Sequence, residues 1–216
     1  LHSLRRRQRQ MCIRDRYVRG GGADENLYLL DGNPVYHVNH LLGFFSAFNP
    51  DAIKNTRFYK GSFPAEYGGR LSSVVDVRMN DGNRQEYHGN ISVGLLSARA
   101  NLEGPIVKDR SSFNVSVRRT WLDLITGTAL AVVNKNSSIK DVFGYHFFDI
   151  NAKLNHSFSD RSRAYLSFYM GQDAFRQGSK EKNGDSEDMF LWRWGNLIGS
   201  AGWNYVFGQK LFGNLM

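Results

Sequence analysis

From Tyr87 onward the apolar positions recur every second residue, the spacing of a strand with one apolar and one polar face. In 148–158, Phe148, Ile150, Ala152, Leu154 and Phe158 alternate with Asp149, Asn151, Lys153, Asn155 and Ser157; His156 is the exception on the apolar side. Ala164, Leu166, Phe168 and Met170 repeat the scheme against Tyr165, Ser167 and Tyr169. So do Ala201, Trp203, Tyr205 and Phe207 against Gly202, Asn204 and Val206. Strands are predicted near 88–94, 97–103, 112–121, 147–158, 163–174 and 190–207, with a seventh beginning at Leu211. Several approach the about 9–11 residues that a tilted membrane strand needs.

Short polar turns are expected at 104–111, 159–162 and 208–210, and long loops at 122–145 and 172–188. One face suits lipid and the other a wet lumen, and the short-long rhythm of connections is that of a barrel wall. Trp121, Phe143, Tyr145, Phe147, Phe175, Trp192, Trp194, Trp203 and Tyr205 fall where interface girdles would lie. A soluble antiparallel sheet with an aromatic core fits the same alternation.

Before Tyr87 the runs are shorter and punctuated by glycine. A β-like run at 17–19 stops at Gly20, Gly21 and Gly22. Next comes a strand at 26–30, and Asp31-Gly32 is a turn pair that reverses it into 34–36. The stretch 41–48, LLGFFSAF, is expected to pack on that hairpin. Asn49-Pro50-Asp51 then supplies a helix cap, a Pro at the first helical position and an acid in the first turn, which predicts a short helix. Further strands are predicted at 56–60 and 73–79, separated by a turn at 63–67 closed by Gly68 and Gly69.

Arg19-Gly20, Leu30-Asp31-Gly32-Asn33-Pro34-Val35, Lys60-Gly61 and Tyr67-Gly68 occur here in an order that resembles the plug domain of TonB-dependent outer-membrane receptors. The resemblance is of a Bacteroidetes type but outside the starch-utilisation (SusC-like) subclass, because the closing stretch is Gly-Arg-Leu-Ser-Ser-Val-Val-Asp-Val. It implies a mainly β chain: a small α+β plug over 17–84, then about seven antiparallel strands of an incomplete transmembrane β-barrel over 85–216. Plugged transporters have about 22 strands, so roughly a third of a wall would be present.

In that family, plug cations pair with carboxylates on the inner wall, and Arg19 and Lys60 stand at the matching positions; Lys60 replaces the more usual Arg, so a bidentate clamp becomes a single contact. Gly20, Asp31, Gly32, Pro34, Gly61, Tyr67, Gly68 and Gly69 would shape the plug backbone. The implied function is active nutrient uptake across the outer membrane of a Gram-negative cell. The implied partners are TonB through a missing N-terminal segment, outer-membrane lipid, an unidentified transported ligand and a surface lipoprotein that caps some receptors.

The formal charge of +8 is mostly a property of residues 1–16, which hold six Arg and one Asp and leave +3 for the remainder. This stretch has no apolar core and no small-residue cleavage site of a secretory signal. Its segment MCIRDR resembles translated adapter sequence, so 1–16 reads as a non-native Arg-rich leader rather than a nucleic-acid contact.

Cys12 is the one cysteine, which excludes an intrachain disulfide. His37 and His40 form a pair three residues apart, without a Cys or a well-spaced carboxylate to complete a tetrahedral metal site. Asp24, Glu25 and Asp31 read as loop and turn residues. Neither a G-x-S-x-G elbow nor a phosphate loop is present, so neither an enzyme nor a cofactor is expected. The alternative function is a soluble or surface β-rich interaction protein without a transport role.

Overall fold

The computed structural model describes residues 22, 25–60, 63–136, 139–181 and 187–216. Strand β1 (Asn26–Leu30) turns through Asp31 and Gly32 into β2 (Asn33–Pro34), with Leu30 opposite Asn33 and Leu29 opposite Pro34. Asp31 takes φ 45 and Gly32 φ 87, both in the left-handed region that a two-residue hairpin turn requires. Pro34 is tolerated because β2 is an edge strand and needs no donor there.

A second small pair, β3 (Asn39–His40) with β4 (Phe45–Ser46), brackets a 3-10 turn at Leu41–Gly43. The Asn49 side chain then accepts the Asp51 N–H at 3.2 Å and starts the 3-10 turn Pro50–Ala52. The expected helix is this single turn, because Ile53 is already extended and opens β5 (Ile53–Tyr59). Strand β6 (Ser73–Met79) sits between β1, to which it is parallel, and β5, to which it is antiparallel. On one face Val75, Val77 and Met79 join Leu30, Val35, Ala47 and Phe48 in a core whose eighth member, Tyr169, comes from the second sheet.

That sheet runs in chain order: β7 (His88–Val93), β8 (Ser97–Val107), β9 (Ser111–Thr120), β10 (Ile139–Ser159), β11 (Ser162–Glu181), β12 (Glu187–Val206) and β13 (Phe212–Leu215), each antiparallel to the next. Seven strands are what the alternation predicts. The fold is therefore mainly β, a small mixed unit followed by a seven-stranded antiparallel sheet whose edges, β7 and β13, stay apart.

The predicted long loops are largely absent. β10, β11 and β12 are 21, 20 and 20 residues long, and the β10–β11 ladder is continuous from Ile139 opposite Glu181 almost to the turn. At about 3.4 Å per residue such a hairpin reaches roughly 70 Å. Its outer half mixes polar residues such as Gln172, Arg176, Gln177 and Lys180 with aromatics, so the apolar-polar alternation is broken there while backbone pairing continues.

The remainder of the first expected loop is helix α1 (Leu122–Val133). β9 stops pairing at Arg119, opposite Phe148, which leaves the β10 edge bare beyond that point. Helix α1 covers it: Thr126 Oγ1 donates to the Phe143 carbonyl at 2.9 Å, and Asn134 bonds both the N–H and the C=O of Asp141 at 3.2 and 2.8 Å.

Face assignment follows the predicted parity. Odd positions of β10 point at the N-terminal unit, with Asp149 0 % and Lys153 5 % exposed, whereas Leu154 and Phe158 on the alternate face are exposed. The face expected to line a wet lumen is thus covered by the N-terminal unit. Tyr145 and Phe147 share the odd face and are buried, so they are not girdle residues.

Candidate interface between the two sheets

His40 closes the β3 strand and points into the large sheet. Its Nδ1 is 2.6 Å from Asp173 Oδ2 on β11 and its Nε2 2.9 Å from Asp149 Oδ1 on β10. Each ring nitrogen faces a carboxylate, an arrangement in which both must carry hydrogen, so His40 is held as the imidazolium. Burial alone would pull its pKa down, but the hydrogen bonds and charges of Asp149 and Asp173 win and raise it above the usual value.

Arg118 on β9 donates Nε to Asp149 Oδ2 at 2.8 Å and an Nη2 hydrogen to the Ser46 carbonyl at 2.6 Å. Two cations and two carboxylates balance in a buried volume. The Tyr145 hydroxyl bonds Asp173 and accepts the Leu41 N–H at 2.6 Å, and the Tyr169 hydroxyl lies 3.2 Å from Asp149 and 3.3 Å from the Ala47 carbonyl. Phe147 stacks flat under the imidazole, with centroids 4.2 Å apart.

A second cluster has the opposite polarity. Lys153 Nζ reaches from β10 to Asp31 at 3.1 Å, to Asp81 at 3.2 Å and to the Met79 carbonyl at 3.2 Å. Asp81 also meets Lys54 at 2.6 Å and Arg163 at 3.3 Å. Burial would push its carboxyl up, yet Lys54, Lys153 and Arg163 hold it below the ordinary carboxylate range. The Asp81 carbonyl takes Ser112 and Asn155 donors at 2.7 and 3.1 Å. Further along, Arg99 pairs with Asp51 at 3.1 Å and Asn49 donates to Ser116 at 2.6 Å.

Among the expected contact residues, Arg19, Gly20, Gly61 and the 1–16 leader lie outside the described residues. Lys60 is exposed, with Nζ 5.3 Å from the Phe58 ring centre, and no carboxylate pairs with it among the described residues. Asp31 does more than turn the chain: it is 1 % exposed and also accepts the Met79 N–H at 3.1 Å. Tyr67 closes its turn by donating N–H to the Pro64 carbonyl at 3.0 Å, and burial beside Asp76 pushes its hydroxyl up to about 12. Gly69 takes φ 81, which its turn needs, while Gly68 has no neighbour that a side chain would meet.

His40 is a clamped ion rather than half of a metal pair; His37 is exposed and packs near Trp194. Asp149 and Lys153 were visible in the sequence as polar members of one strand face, but their partners, 122 residues away for Lys153 and Asp31, were not.

Residues 8–75 match the family described as TonB-dependent Receptor Plug Domain, a match that starts within the Arg-rich leader. No curated protein matches the chain. Among solved structures, the siderophore receptor PirA from Acinetobacter baumannii is similar at 15 % identity and a TM-score of 0.47, over 91 % of this chain and 36 % of that one. The ferric enterobactin receptor PfeA, in complex with BCV-L6, is similar at 16 % and 0.45, over 91 % and 38 %. A mutant of PfeA from Pseudomonas aeruginosa is similar at 15 % and 0.43, over 90 % and 37 %. The chain spans well under half the length of each of these receptors. Over residues 8–75 the chain is similar to the plug domain of TonB-dependent receptors.

Proposed function

We propose that this chain is part of a TonB-dependent outer-membrane transporter in which the N-terminal unit, residues 17–84, is the plug and residues 85–216 form part of the barrel wall. The observation that carries this reading is the interface itself. A small sheet lies on the polar face of a large antiparallel sheet through charged contacts, while the other face of that sheet presents Leu154, Leu166, Leu197 and Trp203 to the surroundings. Such a joint seals a lumen, yet it can be parted, because each polar contact it loses can be replaced by water once the plug moves.

In this reading TonB engages a segment preceding the plug, Arg19 and Lys60 make further plug-to-wall contacts on the family's pattern, and the cargo is a nutrient. Bacteroidetes-type origin outside the SusC-like subclass belongs to the same proposal.

The test is reconstitution. Insertion into outer-membrane lipid vesicles is expected, together with protease protection of 25–84 that is lost in Lys153→Met. A monomer stable in buffer without detergent or lipid, with no vesicle association, would overturn the reading in favour of a soluble β-rich protein.

A further inference from the structure

Just beyond the His40 clamp, on the side away from the β10–β11 turn, the ladder continues for four rungs on the plug-facing surface. They are Phe147-Asp173-Trp194, Tyr145-Phe175-Trp192, Phe143-Gln177-Phe190 and Asp141-Ser179-Asp188. Alternation puts every one of these side chains on the face of Asp149, so the aromatics expected in a membrane girdle point inward instead.

Their rings form one connected run. Phe143 meets Phe175 edge-on at 5.5 Å, Tyr145 lies 6.5 Å from Trp194, and Trp194 lies 5.0 Å from Trp192. The plug closes the lower end, with His37 6.2 Å from Trp194 and its backbone held by two bonds to the Asn196 amide, 3.1 and 2.6 Å. The upper end is open: Trp192 is 59 % exposed.

Charge is one-sided at the open end of this surface, whereas at its closed end the His40 imidazolium and the Arg118 guanidinium, 5.1 Å from the Phe147 ring centre, are balanced by Asp173 and Asp149. No Lys or Arg occupies the four rungs, whereas Asp141 and Asp188 stand at the outermost one. The cations of the same stretch, Lys140, Arg176, Lys180 and Arg193, all occupy alternate positions on the opposite face.

We infer that this aromatic and acidic surface binds a small organic cation, held over the Trp192 and Trp194 rings with Asp141 and Asp188 at the mouth. The inference rests on the transport reading above. The negative faces of indole rings attract cations, and the neighbouring carboxylates add to the same field. An anionic solute would meet both, and the nearest cations, His40 and Arg118, are already paired with Asp149 and Asp173.

The experiment is calorimetric titration of the chain in detergent micelles with three probes: thiamine, a flat cation; maltohexaose, a neutral stacking solute; and ferric tris(2,3-dihydroxybenzoate), an anion. Saturable binding of thiamine alone is expected, weakened about tenfold or more in Trp192→Leu/Trp194→Leu, restored by Trp192→Phe/Trp194→Phe, and reduced in Asp141→Asn/Asp188→Asn. Equal or tighter binding of either other probe, binding of none, or indifference to the tryptophan changes overturns the inference. Protease protection of 25–84 is read on the same samples. If protection holds while thiamine fails, the cation site falls and the plug reading stands; if protection is also absent, the plug reading itself fails.

Discussion

Lys153 Nζ and Asp31 Oδ2 lie 3.1 Å apart, linking the middle of β10 to the first hairpin of the chain. Both side chains are almost fully buried, and the same ammonium also serves Asp81. Replacing Lys153 by Met leaves Asp31 uncompensated and Asp81 short of one partner, which is expected to cost about 3–5 kcal/mol. Urea unfolding in micelles measures this. A cycle with Asp31→Asn should recover part of the loss, since the two residues share one network.

The His40 clamp sets a pH dependence. Its folded pKa lies above the unfolded value of about 6.5, so its stabilisation is fully present below that value and is lost as pH rises through the folded pKa. Plug protection is expected to weaken across that upper window in the native sequence and to lose this dependence in His40→Gln. Asp81 works in the other direction, because its folded pKa is depressed: its contribution is present above about 3.9 and disappears as pH falls through the folded value.

Gly82 takes φ +79, and a Cβ there would stand 2.2 Å from the Phe113 carbonyl oxygen on β9. Gly69 has nearly the same conformation, φ +81, with open space around it. Gly69→Ala should cost about 1–3 kcal/mol from backbone strain alone. Gly82→Ala should cost clearly more, because the linker from β6 to β7 must lift off the wall. Thermal unfolding of the two variants side by side gives the comparison.

Tyr169 fills the plug core from β11 and also touches Asp149 with its hydroxyl. Tyr169→Phe should cost about 1–3 kcal/mol through the lost hydrogen bonds, and Tyr169→Leu more because the ring leaves a void. Protease cleavage within 25–84 is expected to rise in the same order.

The local rules of the chain were readable wherever one residue type decides the geometry. The strand 73–79 and the turn at Asp31-Gly32 were found at their true bounds, because a run of Ser-Val-Val-Asp-Val-Arg-Met between turn residues and an Asp-Gly pair leave few alternatives. The inward face of β10 followed from parity. The outer halves of β10 and β11 did not, since Gln172, Arg176, Gln177 and Lys180 give no alternation in β11. Helix α1 was missed for a related reason: Trp121 supplies no capping side chain, and Thr126, Gly127 and Thr128 are poor helix formers. The joint was half legible. Asp149 and Lys153 announced a polar face, but His40 reads as an ordinary loop histidine until two strands more than 100 residues away bring their carboxylates to it.

Because Tyr169 belongs to the core of the N-terminal unit, that unit has no finished interior of its own until β11 is in place. Synthesis delivers the plug residues first, yet their packing is completed by a strand that emerges about a hundred residues later. The last position of that core is therefore filled only after the rest of the unit has been synthesised. In the proposed transport reading, withdrawal of the N-terminal unit reverses that step and takes Tyr169 out of the core it completes, so displacement is partial unfolding rather than the sliding of a rigid stopper.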